Sequence, residues 1–455
     1  MKRVRPILPL FIIFFAAAPA AHADDLSDTR RACIERDNLH KGIHWFEECM
    51  QELFTAQPIH IALTTVAPGA GVAGFGPAVN YVVRPYRFEF LLSGTAAVSD
   101  DGSYITQVKT TFALPGHSVS LQQLKQTLVQ KYRIHVQGRR PWQEPIDAKT
   151  SVTLRWRRIG AREQDFYGLG PDSSFSGRTS YGIILNETYA AIDSPFSSWN
   201  SVGFEFSFIQ PRVTSSINTS LPEMNSVYTE ATAPGLTVRD DFLRFAPYIA
   251  FRIPAHRSYY VSARAGYAVY HAMGDPAHSF QQLVASSKVA IPVWLPVPGT
   301  PSHRQRENRF LNAVCPSLRS GTRCSLGDFA VLGSVAASYK TAGSQVPFYF
   351  DQTLGGTNLS GQDTLRGYAD YRFRGPSSVL FQAEYRHPLW GPFGLLSFYD
   401  TGKVALLPSD ISLSHLRHEI GLGMYLRIAN RELARVYIGF GTGEPSQIHP
   451  KFPTP

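Results

Sequence analysis

The sequence predicts an all-β fold: a 16-stranded antiparallel transmembrane β-barrel with a short N-terminal helical segment. Segments of about 9–13 residues alternate apolar and polar side chains, which is the length that a tilted membrane strand needs. Their polar positions include arginine and glutamate in mid-strand, which suits a wet barrel interior. Charged residues make up only 17% of the 455-residue chain and aromatic residues 12%, whereas soluble domains carry roughly 25% charged residues.

The first 23 residues have the features of a secretory signal peptide. Lys2, Arg3 and Arg5 form a basic start, residues 7–18 are apolar, and residues 21–23 are a cleavage site of the small-x-small type. This order is typical of signal peptides, and the apolar run is too short for a membrane-spanning helix. We therefore expect export from the cytoplasm and removal of residues 1–23.

The mature chain divides into two predicted parts. Residues 24–57 form a short helical segment, because Phe46, Met50 and Phe54 fall at near-helical spacing. This segment could cap the periplasmic mouth of the barrel, plug its lumen or form a loosely ordered terminus. Residues 58–455 form the transmembrane barrel.

Fifteen segments have the alternation of a strand, as in "SVGFEFSFI" and "HEIGLGMYLRI". A bacterial barrel needs an even number of strands. The sixteenth must come from residues 444–455, which are a poor strand because each of their four prolines removes a hydrogen-bond donor. The fifteen segments are 71–83, 86–98, 103–114, 127–137, 148–159, 179–192, 200–210, 242–253, 258–271, 281–293, 328–341, 378–389, 393–404, 416–428 and 433–442.

Composition and motifs argue against several classes of function. The formal net charge is +9, but the chain has no block of lysine and arginine and no basic stripe interleaved with aromatic residues. We therefore predict no nucleic-acid site. The chain has no Gly-x-Ser-x-Gly motif, and we predict neither an enzyme nor a cofactor.

The four cysteines form two local pairs, Cys33 with Cys49 and Cys315 with Cys324. In an exported protein this spacing favours two local disulfides. An alternative for the first pair is a zinc site made of the two cysteines with His40 and His44, although the spacing matches no common zinc site.

The stretch "LGGTNLSGQDTLRGYADYRF", residues 354–373, has neither a helical nor a strand period. About 30 residues later, "FYDTG" places Phe398, Asp400 and Gly402 on one face of a strand, and Glu384 lies on the wet face of the strand between. We predict that the loop folds back into the barrel and that Arg366 docks on Asp400 and stacks on Phe398. The alternative is a solvated surface loop.

These motifs resemble the C-terminal signature of the bacterial surface-antigen superfamily, which includes BamA/TamA-like assembly factors and two-partner-secretion transporters. The resemblance rests on "LGG…LRGYADYRF", "EYRHPL" and "FYDTG" in this order, with "FYGLG" at 166–170 and "VPF" at 346–348 upstream. It covers most of the chain from about residue 60. It implies a 16-stranded barrel with the sixth loop inside, held by Arg366-Gly367-Tyr368 against Phe398 and Asp400.

Two features depart from that superfamily. The predicted segment before the barrel, residues 24–57, is too short for one periplasmic POTRA domain. Such barrels also usually end in an aromatic residue, whereas this sequence ends Pro-Thr-Pro with Phe452 before it. The second departure could weaken the seam between the first and last strands.

The resemblance implies an outer-membrane protein that assists the insertion or translocation of polypeptides through a weak strand seam. Its partners would be outer-membrane lipid and client polypeptides or barrel precursors, with a monomeric barrel favoured. The alternative is a passive pore or a structural surface barrel, in which Arg155, Arg157 and Arg252 would favour anions.

Overall fold

A computed structural model gives the fold of this chain. It describes residues 46, 49–50, 53–54, 59–66, 74–83, 89–113, 150–197, 199–256, 259–296, 323–340, 344–358, 361–389, 392–428 and 431–452. The predicted signal peptide therefore lies outside the described residues.

Eighteen strands are found in the described residues, with little helix. Sixteen of them form the wall: β1 (Ile59–Thr64), β2 (Gly74–Val83), β3 (Glu89–Val98), β4 (Tyr104–Ala113), β5 (Ser151–Phe166), β6 (Thr179–Pro195), β7 (Asn200–Thr214), β8 (Phe242–His256), β9 (Tyr259–Ala272), β10 (Phe280–Pro296), β11 (Arg323–Tyr339), β14 (Ser377–Pro388), β15 (Phe393–Ala405), β16 (Arg417–Ile428), β17 (Arg431–Gly441) and β18 (Gln447–Lys451). Two short strands, β12 (Gln352–Leu354) and β13 (Phe373–Gly375), pair with each other. One helical turn, α1 (Met224–Val227), and four 3-10 turns lie between strands.

The sixteen wall strands form one antiparallel sheet in which each strand pairs with its neighbours in the chain. The predicted 16-stranded antiparallel fold is therefore confirmed. The sheet curls until its two edges approach each other, since the Thr65 hydroxyl donates to the Phe452 carbonyl across 3.0 Å. Within the described parts of the chain, no backbone pairing joins β1 to β18.

The sixteen wall strands are not all the predicted ones. β1 was not predicted, and β4 pairs directly with β5 from Ala113 opposite Ser151. The strand predicted at 127–137 lies outside the described residues. The tail does supply the last strand, but only over the five residues of β18. Pro450 is tolerated there because β18 is an edge strand, so the missing donor need not serve a second neighbour.

The wall has an apolar outer face and a more polar inner face. On β16, Ile420, Leu422 and Met424 are 60%, 61% and 51% exposed, while Glu419 and Tyr425 on the other face of the strand are buried. Alternation of this kind is typical of strands that meet lipid on one side and a filled lumen on the other. Within the described residues no helix is long and apolar enough to cross a membrane.

The segment between β11 and β14 fills the lumen. We call residues 344–376 the lumenal loop; residues 359 and 360 within it lie outside the description. One part of the loop packs on a cluster that includes Phe166, Tyr181 and Phe242 of the wall, through Phe348. Another part forms a second cluster in which Leu365 and Tyr368 pack against Leu380 and Val404.

The few described residues of the predicted N-terminal segment, at positions 46, 49, 50, 53 and 54, are helical. The Phe46 ring stacks on that of Phe393 at the start of β15, with 6.5 Å between the ring centroids. This contact places the segment beside the wall. The predicted domain boundaries, and the choice between a cap and a plug, stay predictions.

Candidate functional site: an arginine in the barrel lumen

Arg366 is the centre of the site. Its Nε and Nη2 donate to the two carboxylate oxygens of Asp400 over 2.7 and 2.8 Å, and its Nη1 pairs with Glu384. The guanidinium carbon lies 3.8 Å from the centroid of the Phe398 ring. Arg366 is 2% exposed and Asp400 fully buried. The arginine is thus held by a bidentate ion pair and a cation–π contact, both of which fix its direction.

Side chains alternate between the two faces of a strand, and this alternation explains where the partners of Arg366 lie. On β15, Leu396, Phe398, Asp400 and Gly402 are all buried, whereas Leu395 and Tyr399 on the alternate row are exposed. The neighbouring strand β14 pairs with β15 so that Glu384 lies opposite Phe398. Glu384 is therefore next to the inward-facing row of β15 that contains Asp400. The structure therefore brings together Arg366, Phe398, Asp400 and Glu384.

Burial alone would disfavour the charged guanidinium. The hydrogen bonds and charge of Asp400, with the charge of Glu384, outweigh this effect and raise the pKa of Arg366 above its ordinary value. The arginine therefore stays protonated. Removal of either carboxylate would leave a buried cation with less compensation, which is costly.

The predicted glycines are sites of close approach. A Cβ on Gly367 would lie 2.8 Å from the Gly441 nitrogen and 2.9 Å from a Glu419 carboxylate oxygen. At Gly402 a Cβ would lie 2.6 Å from the Val379 carbonyl oxygen. The loop backbone therefore lies directly on the wall, as glycine permits.

Tyr368 follows in the same turn of the loop. Its hydroxyl oxygen accepts from the Thr442 N–H over 2.9 Å, and its ring packs edge-on against Phe373. Burial raises the pKa of the Tyr368 hydroxyl. Arg366, Gly367 and Tyr368 together attach the loop to four consecutive wall strands, β14 to β17.

Glu419 was missed as a site residue. It lies directly opposite Asp400 on β16 and accepts the Gly367 N–H. The alternation in "HEIGLGMYLRI" sets Glu419 on the polar face of its strand, but only the pairing register shows that it faces the loop. The sequence motifs alone do not set that register.

A charged network around Arg366 was also missed. Arg435 on β17 pairs with Asp363 of the loop over 2.9 Å and with Glu432 over 2.5 Å. Arg386 on β14 joins Glu432 to Glu384. These acids and bases alternate in space, so the loop's own Asp363 and Arg366 become members of one lumenal network.

Two further loop arginines contact the opposite side of the barrel. Arg374, 1% exposed, donates to the Phe348 carbonyl over 2.9 Å and to the Tyr181 hydroxyl over 3.2 Å. Arg372 donates to the Ser173 carbonyl over 2.7 Å and pairs with Glu444 over 2.6 Å. The loop therefore crosses the lumen from the β5–β6 connection to the β17–β18 turn.

The two upstream motifs of the resemblance lie together in this part of the lumen. Phe166 of "FYGLG" packs on Phe348 of "VPF", with ring centroids 5.5 Å apart and an edge-to-face angle of 72°. Both rings lie near the Arg374 guanidinium, at 5.5 and 5.4 Å. These segments thus form a second anchor of the loop.

Only some residues of the predicted disulfides and of the alternative zinc site are among the described residues. Cys49 is disulfide-bonded, but Cys33 and Cys315 lie outside the described residues and the side chain of Cys324 is not described. The pairing therefore stays a prediction. His40 and His44 also lie outside the description, and no cluster of metal-binding side chains occurs within it.

The arginines expected to favour anions differ in their surroundings. Arg155 and Arg157 both donate to one carboxylate oxygen of Glu187, over 2.9 and 2.8 Å. Glu187 therefore offsets part of their charge. Arg252 has a buried Nη1 without a hydrogen-bond partner among the described residues.

No protein-family model and no curated protein matches this sequence. Solved structures with a similar fold include CdiB from Acinetobacter baumannii, with a TM-score of 0.47, 10% identity, and coverage of 86% of this chain and 57% of that chain. BamA from Haemophilus ducreyi lacking POTRA domains 1–3 has a TM-score of 0.46 and 10% identity, covering 93% and 80%. CdiB from Escherichia coli has a TM-score of 0.44 and 10% identity, covering 90% and 69%.

This chain spans 57% of the length of the Acinetobacter baumannii CdiB chain. At about 10% identity and TM-scores below 0.5, the likeness establishes no activity, substrate or partner for this chain.

Proposed function

We propose that this chain is an outer-membrane barrel of the surface-antigen (BamA/TamA-like) type that assists the insertion or translocation of polypeptides. The observation that carries the proposal is the shortness of the two edge strands. β1 pairs with six of the ten residues of β2, and β18 with five of the eleven residues of β17. Among the described residues, the two edges meet in the Thr65–Phe452 hydrogen bond, which involves a side chain rather than a backbone ladder.

An edge with unpaired backbone groups can template an incoming strand. Sheet edges present a row of N–H and C=O groups that another chain can pair with. In a barrel the two edges face each other, so opening of the seam would offer both at once. The client would be an extended polypeptide with alternating apolar and polar residues, such as a barrel precursor.

Position in a membrane is supported by the outer face of the wall. Exposed large apolar side chains recur on its strands, among them Phe204, Phe245, Ile420, Leu422 and Phe440. Monomeric soluble proteins rarely expose apolar surface on this scale. This surface supports the proposed location in the outer membrane, with lipid around the wall. That the barrel is non-catalytic and monomeric is a further part of the proposal.

A passive pore is the second candidate. A polar cavity of about 380 Å³ lies beside the lumenal loop, lined by Glu205, Arg244, Tyr248, Arg264, Gln282 and Gln362 among others. Arg244 and Arg264 share the single carboxylate of Glu205, which leaves an excess of positive charge. Anions would then be the favoured solute.

Deletion of the gene, followed by a quantitative outer-membrane proteome, tests the proposal. Loss of one or several other barrel or surface proteins, restored by the wild-type gene, is the expected result. An unchanged proteome would contradict the assembly role. Anion-selective conductance of the purified protein in bilayers, increased by Arg366→Ala, would then favour the pore.

A further inference from the structure

The last strand of the wall has contacts that the seam proposal does not use. β18 is the free edge of the sheet and pairs with β17 over five residues. Its outward side chain Ile448 is 67% exposed, whereas His449 is buried. The inward side chains of β18 therefore face the lumenal loop rather than water.

His449 is the central contact. Its Nε2 lies 3.1 Å from the Tyr368 carbonyl oxygen, so the imidazole donates a hydrogen bond to the loop backbone. The ring lies beside that of Tyr437 on β17, with centroids 5.4 Å apart. A Cβ on Gly356 of the loop would lie 2.9 Å from His449 Cε1. The imidazole is thus enclosed between the loop and β17.

An ion pair between Lys451 and Asp370 lies beside this hydrogen bond. Lys451 Nζ is 3.6 Å from Asp370 Oδ1, and His449 Nδ1 is 3.9 Å from the same oxygen. Asp370 is itself held, since it accepts the Thr357 N–H over 2.7 Å. At the other end of β18, the Arg372–Glu444 pair attaches the preceding turn to the loop.

We propose that loop residues Tyr368, Asp370 and Arg372 position β18 at the seam, through His449, Lys451 and Glu444, and release it when the loop leaves the lumen. This inference rests on the proposed function, because it assigns the control of seam opening. We call these six residues the seam clamp. Tyr368 is only two residues from Arg366, so the arginine anchor and the seam clamp move as one segment.

The position of the contacts explains why the loop controls the strand. A five-residue edge strand with one partner is weak by itself, and edges of this kind open readily. The loop, in contrast, is fixed independently by Arg366 on β14 and β15 and by Arg374 on β6. Loss of the clamp should therefore free β18 and leave the loop in place, whereas loss of the anchor should free both.

Hydrogen–deuterium exchange of the purified full chain in nanodiscs tests this asymmetry. His449→Phe keeps a ring and removes the donor, and Asp370→Asn weakens the ion pair with Lys451. Each should speed the exchange of peptides covering β18 by about tenfold or more, with the loop peptide 361–372 unchanged. Arg366→Ala should speed the exchange of both.

Two variants make the result specific. His449→Gln restores an N–H donor at the same place and should recover most of the protection. His418→Phe changes a histidine that faces outward on β16 and should leave β18 exchange unchanged. Arg366→Ala that frees the loop but not β18 would overturn the proposal, as would unchanged β18 exchange in both His449→Phe and Asp370→Asn. If His449→Phe fails to fold, Asp370→Asn decides.

Exchange needs no client, so it separates the clamp from the function. A normal outer-membrane proteome in the deletion strain, with β18 released in these variants, would remove the assembly role and keep the clamp. A changed proteome with unaltered β18 exchange would support the assembly role and remove the clamp.

Discussion

Arg366 is a buried cation whose charge is met by Asp400 and Glu384 of the wall. Arg366→Ala leaves those carboxylates buried without their partner, and breaking such a pair costs about 3–5 kcal/mol. We expect the lumenal loop to open more often by a corresponding factor. Limited proteolysis and hydrogen exchange of residues 361–372 measure this.

A matched arginine provides the control for that prediction. Arg417 is 39% exposed and lies 3.6 Å from Asp172, whose side chain is 92% exposed. Pairs of this kind contribute at most about 1 kcal/mol. The Arg417 guanidinium also lies 5.2 Å from the centroid of the Phe373 ring in the loop. Arg417→Ala should therefore speed loop exchange much less than Arg366→Ala, and equal effects of the two substitutions would contradict the importance of the anchor.

Gly367 gives a second prediction at this scale. Gly367→Ala places a methyl group against Gly441 and Glu419, and forced overpacking costs about 1–3 kcal/mol. We expect a lower melting temperature of the folded barrel and faster exchange of the loop. Gly333→Ala on β11 is the control, because its Cβ would meet nothing nearer than 3.5 Å. The same loss of stability in both variants would argue against tight loop–wall packing.

The contacts of these single residues were predictable to different degrees. Arg366, Phe398 and Asp400 stand in motifs, and the period of two gives the face of each wall residue. Glu419, Arg372 and His449 could not be assigned in this way. Their partners are 52, 72 and 81 residues away, and only strand register and barrel curvature bring them together.

Among the elements, the long wall strands were predictable from the alternation of apolar and polar residues, whereas the two edge strands were difficult to predict. Long strands such as β6 and β7 carry enough alternating positions to be recognised. "IHIALT" of β1 has only six residues, too few for a clear period, and its pairing with β2 depends on the sheet being already formed. For the same reason the Pro-containing tail was difficult to predict as β18.

β16 allows a test of which face meets lipid. Leu422 lies in mid-strand on the outward row, and arginine at the membrane midplane costs about 2–4 kcal/mol. Leu422→Arg should therefore lower the yield of heat-modifiable folded barrel in lipid. His418→Arg, near the end of the same outward row, should cost about 0–1 kcal/mol. Equal yields for the two variants would contradict the membrane orientation.

At the scale of the whole molecule, the curvature of the sheet brings its two edges together, and the function depends on how these edges meet. A sheet of sixteen strands with fully paired edges would be a closed wall, and its lumen would be the sole route through it. Here the lumen holds a loop that is fixed at two places, by Arg374 near β6 and by Arg366 near β15. Among the described residues, the edges of the sheet meet at Thr65 and Phe452. Under the proposed function, the seam is the part of the wall that would open.

Covalent closure of that seam is the corresponding prediction. Thr65→Cys with Phe452→Cys, joined by a short thiol-specific linker, should abolish the activity that the deletion proteome reveals, because neither edge could then accept a strand. Cleavage of the linker should restore it. Each single cysteine variant, treated in the same way, should retain activity. A linked barrel that still supports its clients in full would show that polypeptides pass by another route, and the lumen beside Arg264 and Gln362 would then be the place to look.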